Sequence, residues 1–331
     1  MSSETNQHIL IVGGAGYIGS VLVRVLLEQG YRVRVLDALL YDNHSAIADL
    51  LNNPSFSFIH GDLCDEATVR EALRDVTDVV LLAALVGDPV CKKYPDLAQQ
   101  INDIGTIHLI DQLVGRDIKH LVFMSTCSNY GLRETDSEAR EDAELNPQSL
   151  YAETKVKVER YLLESTSRFD FASTILRCAT AYGLSPRMRF DLTINEFTRE
   201  LALGRDLLVY DADTWRPYCH VNDISRAIGL VLDAEPSAVA EQVFNVGSPG
   251  ENYTKRMVVE LLQQRLPSAQ VRFQEGKVDP RNYRVDFSRI ADRLGFRAKV
   301  TLTDFVVELI DVINKGRFAD GDDQKRFYRN S

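Results

Sequence analysis

Tyr151 and Lys155 stand four residues apart in Tyr-Ala-Glu-Thr-Lys, a spacing that puts a phenol and an ammonium on one face of a helix. Such a pair can move a proton. A phenol titrates near 10 in water, but a neighbouring cation stabilises the phenolate and brings it toward the range for general-base work near neutrality. Taken alone, the pair reads as an ordinary surface contact. Thr126 adds a third group, a hydroxyl that follows the apolar run His120 to Ser125.

A proton-transfer pair needs a partner for the hydride, and the chain offers one at its start. Gly13, Gly16 and Gly19 follow the apolar run His8 to Val12, and from Ile18 the residues Val21, Leu22, Val25 and Leu26 repeat at helical spacing up to Gly30. Strand, glycine turn and helix form a dinucleotide site. The glycines permit a tight turn, close approach to pyrophosphate and helix-to-sheet contact, while the helix aims unpaired N–H groups at the anion. The next strand, Tyr31 to Leu36, ends in Asp37, where a carboxylate can take both ribose hydroxyls. A 2′-phosphate would meet the charge of Asp37, and Ala38-Leu39-Leu40 hold no arginine to receive it. NAD is therefore expected over NADP.

The elements that position these groups alternate. Strand-like runs at Phe56 to His60, Val79 to Leu82, His120 to Ser125 and Phe171 to Arg177 are separated by helical patterns, which predicts an α/β fold with a Rossmann-type doubly wound parallel sheet. Thr126 then lies at the carboxyl end of the fifth strand. Beyond Gly183 the sequence predicts a helix over Arg189 to Leu203, a strand over Leu207 to Tyr210, a returning strand over Val243 to Val246, a helix over Thr254 to Leu266 and a strand over Val271 to Phe273. Helices are expected near Ser288 and Asp304. The dinucleotide-binding domain is accordingly placed at 1–183 with a returning segment at about 218–247. A smaller C-terminal substrate-binding lobe takes about 184–217 and 248–315, and the two share one core. The tail, 316–331, is polar and expected to pack on the surface or fray.

With 38 Lys and Arg against 48 Asp and Glu, the 331-residue chain carries a net charge of −10, which argues against nucleic acid or anionic membrane as a partner. Five scattered cysteines fit reduced thiols rather than a disulfide frame or a metal site, and a cytoplasmic protein is expected.

At this point the chain resembles the extended short-chain dehydrogenase/reductase family, in its nucleotide-sugar epimerase, dehydratase and reductase branch. The matching residues are the three glycines, Gly61-Asp62-Leu63, Ala83-Ala84, Ser125-Thr126 leading to Tyr130-Gly131, Tyr151 with Lys155, Leu176-Arg177 leading to Tyr182-Gly183, Arg216 to Asp223, and Asn245-Val246-Gly247. The resemblance implies that Tyr151 is the acid/base, that Lys155 lowers its pKa and holds the nicotinamide ribose, and that Thr126 bonds the reacting oxygen. It implies cofactor contacts from Gly13, Gly16, Tyr17, Ile18, Gly19, Asp62, Leu63, Ala83 and Ala84. Asn102 would brace the cofactor loop or merely start a helix. A nucleotide-diphosphate sugar needs arginines in an acidic protein, and Arg216 and Arg281, the latter in Asp279-Pro280-Arg281-Asn282-Tyr283, fall where the family places them. Arg187 and Arg189 either reach the nucleotide or start the next helix. His220 belongs to a mostly structural motif.

The branch is read from the residues after Thr126. Related 4,6-dehydratases carry an Asp-Glu pair there, because eliminating water needs an acid and a base; here stand Cys127 and Ser128. Epimerase/reductase relatives place a cysteine where this chain has Ser128, and Cys127, one residue off, faces the other way and packs. Chemistry at C4 through a 4-keto sugar remains, either C4 epimerisation or net 4-dehydrogenation or 4-keto reduction, with a catalytically silent dinucleotide sensor as a distant alternative. Leu85 and Thr180, which differ from the UDP-hexose epimerase pattern, are expected at the sugar and leave GDP-, UDP- and dTDP-sugars open. A homodimer, packed through helices over Pro95 to Val114 and Ser149 to Glu164, is implied by the resemblance.

Overall fold

Isoleucine, leucine and valine fill His8–Val12, and all five residues are buried, as a strand covered by helices on both faces requires. Six more strands join this one, β1: β2 (Arg32–Asp37), β3 (Phe56–His60), β4 (Asp78–Leu81), β5 (His120–Thr126), β6 (Ala172–Cys178) and β7 (Gln242–Val246). The computed structural model describes residues 7–134, 137–276, 281–318 and 328–330. Among these the sheet runs β7-β6-β5-β4-β1-β2-β3, and every pairing is parallel. The order reverses between β1 and β4, and the crevice outside the carboxyl ends of those strands is where such sheets bind ligands.

The principal helices are α1 (Tyr17–Glu28), α2 (Leu150–Glu164), α3 (Thr193–Ala202), α4 (Val221–Asp233), α5 (Lys255–Arg265) and α6 (Leu302–Asn314). One apolar cluster lies on each face of the sheet. A third belongs to the lobe built from α3, α5 and α6, and it takes in Tyr17 and Val21 of α1. Ile18 and Ala181 pack against both this cluster and one of those on the sheet, so the lobe is docked on the helix that follows the glycine turn.

Most strands fall within a residue or so of the expected positions, and the departures have local causes. The helix expected from Arg189 begins at Thr193, because Arg189 is tied to Asp191 and Asn195 Nδ2 holds the Arg189 carbonyl at 2.9 Å, keeping the chain out of helical register. The helix expected over Pro95 to Val114 is interrupted by a π turn, Gln100–Gly105, where Gly105 packs against Leu63 and Cys64 with no room for a Cβ. Trp215–His220, divided in the sequence reading between the end of the 184–217 lobe segment and the start of the returning segment, is the centre of a three-stranded sheet with Thr180–Tyr182 and Asn252–Thr254.

The tail departs furthest from expectation. Residues 319–327 and Ser331 lie outside the described residues, as do Asp279 and Pro280, but Tyr328–Asn330 do not fray. The Tyr328 ring packs 5.5 Å from that of Phe190, and Asn330 is buried.

Candidate active site

Gly13 follows β1 with φ of +91°, and a Cβ there would stand 2.7 Å from the Ala83 nitrogen. A Cβ on Gly19 would collide with the Gly13 carbonyl. Only glycine lets β1 turn this tightly into α1. No side chain caps the N terminus of α1, so its first N–H groups stay available to an anion in the crevice.

Asp37 ends β2 and lines the same cavity. Its carboxylate accepts from the Ala15 N–H at 2.9 Å and the Leu39 N–H at 2.8 Å, so it also pins the glycine turn. Burial raises its pKa, and these bonds pull the other way. Asn43, which sequence reasoning passed over, holds the Ala15 carbonyl from the far side at 2.7 Å. Gly16, Tyr17, Ile18, Gly19, Asp62, Leu63, Ala83 and Ala84 all line the cavity. Asn102 does not: its amide takes the Leu85 N–H at 2.6 Å and returns a bond to the Leu85 carbonyl at 3.0 Å, bracing the loop after β4 from within the π turn.

On the opposite side β5 ends at Thr126, whose hydroxyl accepts from the Ser128 N–H at 3.1 Å and lines the cavity. Ser149 caps α2 and presents Tyr151 and Lys155 one turn later. Lys155 Nζ donates to the Met124 carbonyl at 2.9 Å and lies 5.9 Å from the Tyr151 ring centre. Burial lowers the Lys155 pKa to about 8. Burial also pushes Tyr151 above its ordinary value of 10, with Arg189 pulling against it. Burial thus works against the expected lowering of the Tyr151 pKa: Lys155 spends a bond on the backbone, and the phenol sits where a charge is poorly solvated.

Behind these groups lies a buried network that the motifs only hinted at. Arg177 and Glu159 pair at 2.7 Å, and Asn129 Nδ2 donates to Glu159 at 2.8 Å beside a shorter bond from the Ser125 hydroxyl. Arg177 also reaches the Tyr130 hydroxyl at 3.1 Å, which donates to Asn245 at 2.7 Å. Ser125, Tyr130, Arg177 and Asn245 thus fix the end of β5, and hence Thr126. Glu159, one helical turn beyond Lys155, was the readable signal.

The arginines sort differently from expectation. Arg187 and Arg189 both line the cavity, and both are buried. Arg189 pairs with Asp191 at 2.6 Å; burial opposes its charge, and the pairing more than offsets this. Arg187 has no carboxylate partner among the described residues. Its guanidinium lies 4.7 Å from the Tyr41 ring centre, its Nε has no hydrogen-bond partner, and burial together with Arg189 lowers its pKa to about 10. Arg281 lines the cavity and pairs with Asp88 at 2.7 Å.

Two expected substrate residues do not reach the cavity. Arg216 is folded against Tyr283 and donates to the carbonyls of Trp215 and Arg281, so it supports Arg281 from behind. Leu85 turns into a small apolar cluster with Val90, Cys91 and Ala98, leaving Ala84 and Val86 to line the wall. Thr180 lines it as expected. His220 caps α4 through its Nδ1 and packs edge-on to Tyr182. Cys127 is buried and donates to the Arg177 carbonyl at 3.2 Å.

The residues present fit a dinucleotide. A glycine cradle with no room for a Cβ, a helix N terminus without a side-chain cap, a carboxylate at the end of β2 and a buried arginine with no carboxylate partner among the described residues face one cavity that extends to Thr126, Tyr151 and Lys155. The sequence profile of the NAD dependent epimerase/dehydratase family matches residues 9–247. A dTDP-glucose 4,6-dehydratase from an Actinoplanes species is 31% identical over 316 residues, covering 91% of this chain and 96% of its own length. A UDP-glucose 4-epimerase from Halalkalibacterium halodurans is 30% identical over 275 residues, 77% of this chain and 79% of its own. Among solved structures, the dTDP-glucose 4,6-dehydratase DesIV from Streptomyces venezuelae, crystallised with NAD, superimposes with a TM-score of 0.84 at 28% identity, over 94% of this chain and 98% of that one.

The chain belongs to the NAD-dependent epimerase/dehydratase family. It is an enzyme of the extended short-chain dehydrogenase/reductase type, with NAD as its cofactor.

Proposed function

We propose that the protein is a C4 epimerase of a nucleotide-diphosphate sugar. Tyr151 accepts the proton of the C4 hydroxyl, Thr126 orients that oxygen, and the C4 hydrogen leaves as hydride, giving a 4-keto sugar that is reduced on its opposite face. Bound NAD supplies the hydride acceptor and, when oxidised, a positive ring that favours the Tyr151 phenolate. Lys155, at the foot of the tyrosine, is placed to hold a ribose hydroxyl and to balance that charge.

The observation that carries the reading is the identity of the groups beside Thr126. Elimination of water from the sugar needs an acid and a base, yet Cys127 is buried in the core and Ser128 offers a neutral hydroxyl that accepts from the Tyr283 hydroxyl at 3.3 Å. Of the carboxylates that line the cavity, Asp37 ends β2, Asp62 follows β3, and Asp88, which starts the short helix after β4, is tied to Arg281 at 2.7 Å. Oxidation and return of one hydride is the chemistry that Thr126, Tyr151 and Lys155 support without help. Thr180 faces the sugar, and Arg187, Arg189 and Arg281 face diphosphates.

The test is direct. Purified protein is denatured to release NAD, and native protein is then given UDP-, dTDP- and GDP-hexoses with no added cofactor. Turnover to the C4 epimer supports the reading. A single burst that stalls as NADH would instead identify a 4-dehydrogenase, and neither cofactor nor product would sink both.

The same reading covers assembly and location. Leu97 and Ile104 on the helical run after β4, with Leu163 on α2, are exposed apolar residues on the segments expected to build a dimer. A homodimer accounts for them, and Ile104→Glu should yield monomers in sedimentation velocity. Among the described residues no helix is long and apolar enough to cross a membrane, and the five cysteines are free thiols, which supports a cytoplasmic location.

A further inference from the structure

Tyr328–Asn330 cross the ligand cleft, and each residue is held. The Tyr328 ring lies 5.5 Å from Phe190 and 5.9 Å from Phe318, and the Tyr328 carbonyl accepts from the Phe190 N–H at 2.9 Å. Arg187 donates to the Arg329 carbonyl at 3.4 Å, and the Asn330 N–H donates to the Asp191 carboxylate at 3.3 Å. On the other wall, Asn330 Nδ2 donates to the Val86 carbonyl at 3.2 Å. One residue, through its backbone N–H and its side-chain amide, therefore joins the loop before α3 to the loop after β4 beside the cavity it lines.

The amide cannot be turned over without setting its oxygen against the Val86 carbonyl, so its orientation is fixed. That leaves Oδ1 as an acceptor. Asn330 is only 6% exposed, and this oxygen is buried without a hydrogen-bond partner among the described residues. Buried polar atoms are seldom left unpaired, and the missing partner must be a donor. A phosphate at neutral pH offers none, whereas sugar hydroxyls do. Building on the nucleotide-sugar reading above, we propose that Asn330 is a ligand-recognition residue, its Oδ1 accepting a hydrogen bond from a sugar hydroxyl of the bound ligand while Tyr328–Asn330 close the cleft. The hydroxyl belongs to the hexose of the substrate or to a ribose of the cofactor.

Titration calorimetry of the full chain separates these sources. Wild type and Asn330→Ala are titrated with UDP-glucose, dTDP-glucose and GDP-mannose, with the sugarless diphosphates UDP, dTDP and GDP, and with NAD. Asn330→Ala should weaken the hexosyl nucleotide about tenfold and leave its sugarless diphosphate unchanged. A loss confined to NAD would assign the hydroxyl to the cofactor ribose. Unchanged binding of every ligand, or equal loss of all of them, would overturn the proposal. Should Asn330→Ala fail to fold, the smaller change Asn330→Ser carries the same comparison. Wild-type protein that bound NAD but no hexosyl nucleotide would overturn the nucleotide-sugar reading instead, with the NAD arm still deciding the role of Asn330.

Discussion

Replacing Arg187 with methionine should stabilise the empty protein while weakening its grip on NAD. The guanidinium is buried, its Nε is unpartnered among the described residues, and burial together with Arg189 lowers its pKa by between two and three units, to about 10. At about 1.4 kcal/mol per tenfold change in acidity, the charge costs the empty fold about 3 kcal/mol at neutral pH. Methionine fills a similar volume without the charge. It forfeits the contact with the Tyr41 ring and the bond to the Arg329 carbonyl, together about 2 kcal/mol. A net gain of about 1 kcal/mol remains, on the order of 2 °C in the thermal midpoint of a chain this size. The ligand effect runs the other way. A charge-assisted bond to phosphate contributes about 1.5–3 kcal/mol, so NAD should bind roughly 10- to 150-fold more weakly. Scanning calorimetry of the cofactor-stripped protein reads the first number and NAD titration the second. A midpoint several degrees lower with NAD affinity unchanged would show that Arg187 is a structural residue, refuting its assignment to a phosphate.

Three further outcomes follow from particular groups. Glu251, buried beneath Tyr182 and the N terminus of α6, has its pKa raised from 4.5 to about 7 by burial. Its folded form favours the proton, so the stability it lends is complete below about 4.5 and is lost as pH rises through 7; Glu251→Gln should exceed wild type in urea midpoint at pH 8 and lose that advantage by pH 4.5, and the reverse ordering would contradict the burial argument. Asp37→Asn keeps an acceptor for the ribose and removes the charge facing a 2′-phosphate, so the ratio of NAD to NADP affinity should fall about tenfold, and an unchanged ratio would remove Asp37 from cofactor choice. Asn102→Ala strips both bonds from the buried Leu85 backbone and should cost about 2–4 kcal/mol in urea unfolding at constant slope, with a loss below about 0.5 kcal/mol excluding the brace.

The parallel sheet was legible because its strands are short apolar runs buried on both faces and bounded by turns, a pattern that leaves few alternatives. The cofactor wall was legible for a related reason: Gly13, Gly19 and Asp37 answer to local sterics and charge, which sequence carries directly. Arg187 and Arg189 were ambiguous, since an arginine before a helical pattern looks alike whether it starts the helix or precedes it; the Asp191 ion pair decided this, and it depends on a fold not yet formed. Arg216 and Leu85 failed for the same reason, their side chains turning behind Tyr283 and into the Val90 cluster although their neighbours line the cavity. The tail was read as polar, and its composition gave no sign that Tyr328 would find Phe190 and carry Asn330 into the cleft.

The central claim is that one hydride leaves C4 and returns to the same carbon from the other face. Hexosyl nucleotides of the UDP, dTDP and GDP series, deuterated at C4, are incubated with the purified protein and no added cofactor, and the product is read by mass and NMR. The account predicts the C4 epimer with deuterium retained at C4. A 4-keto-6-deoxy product lacking the elements of water, or an epimer whose C4 label has been lost to solvent, would contradict it.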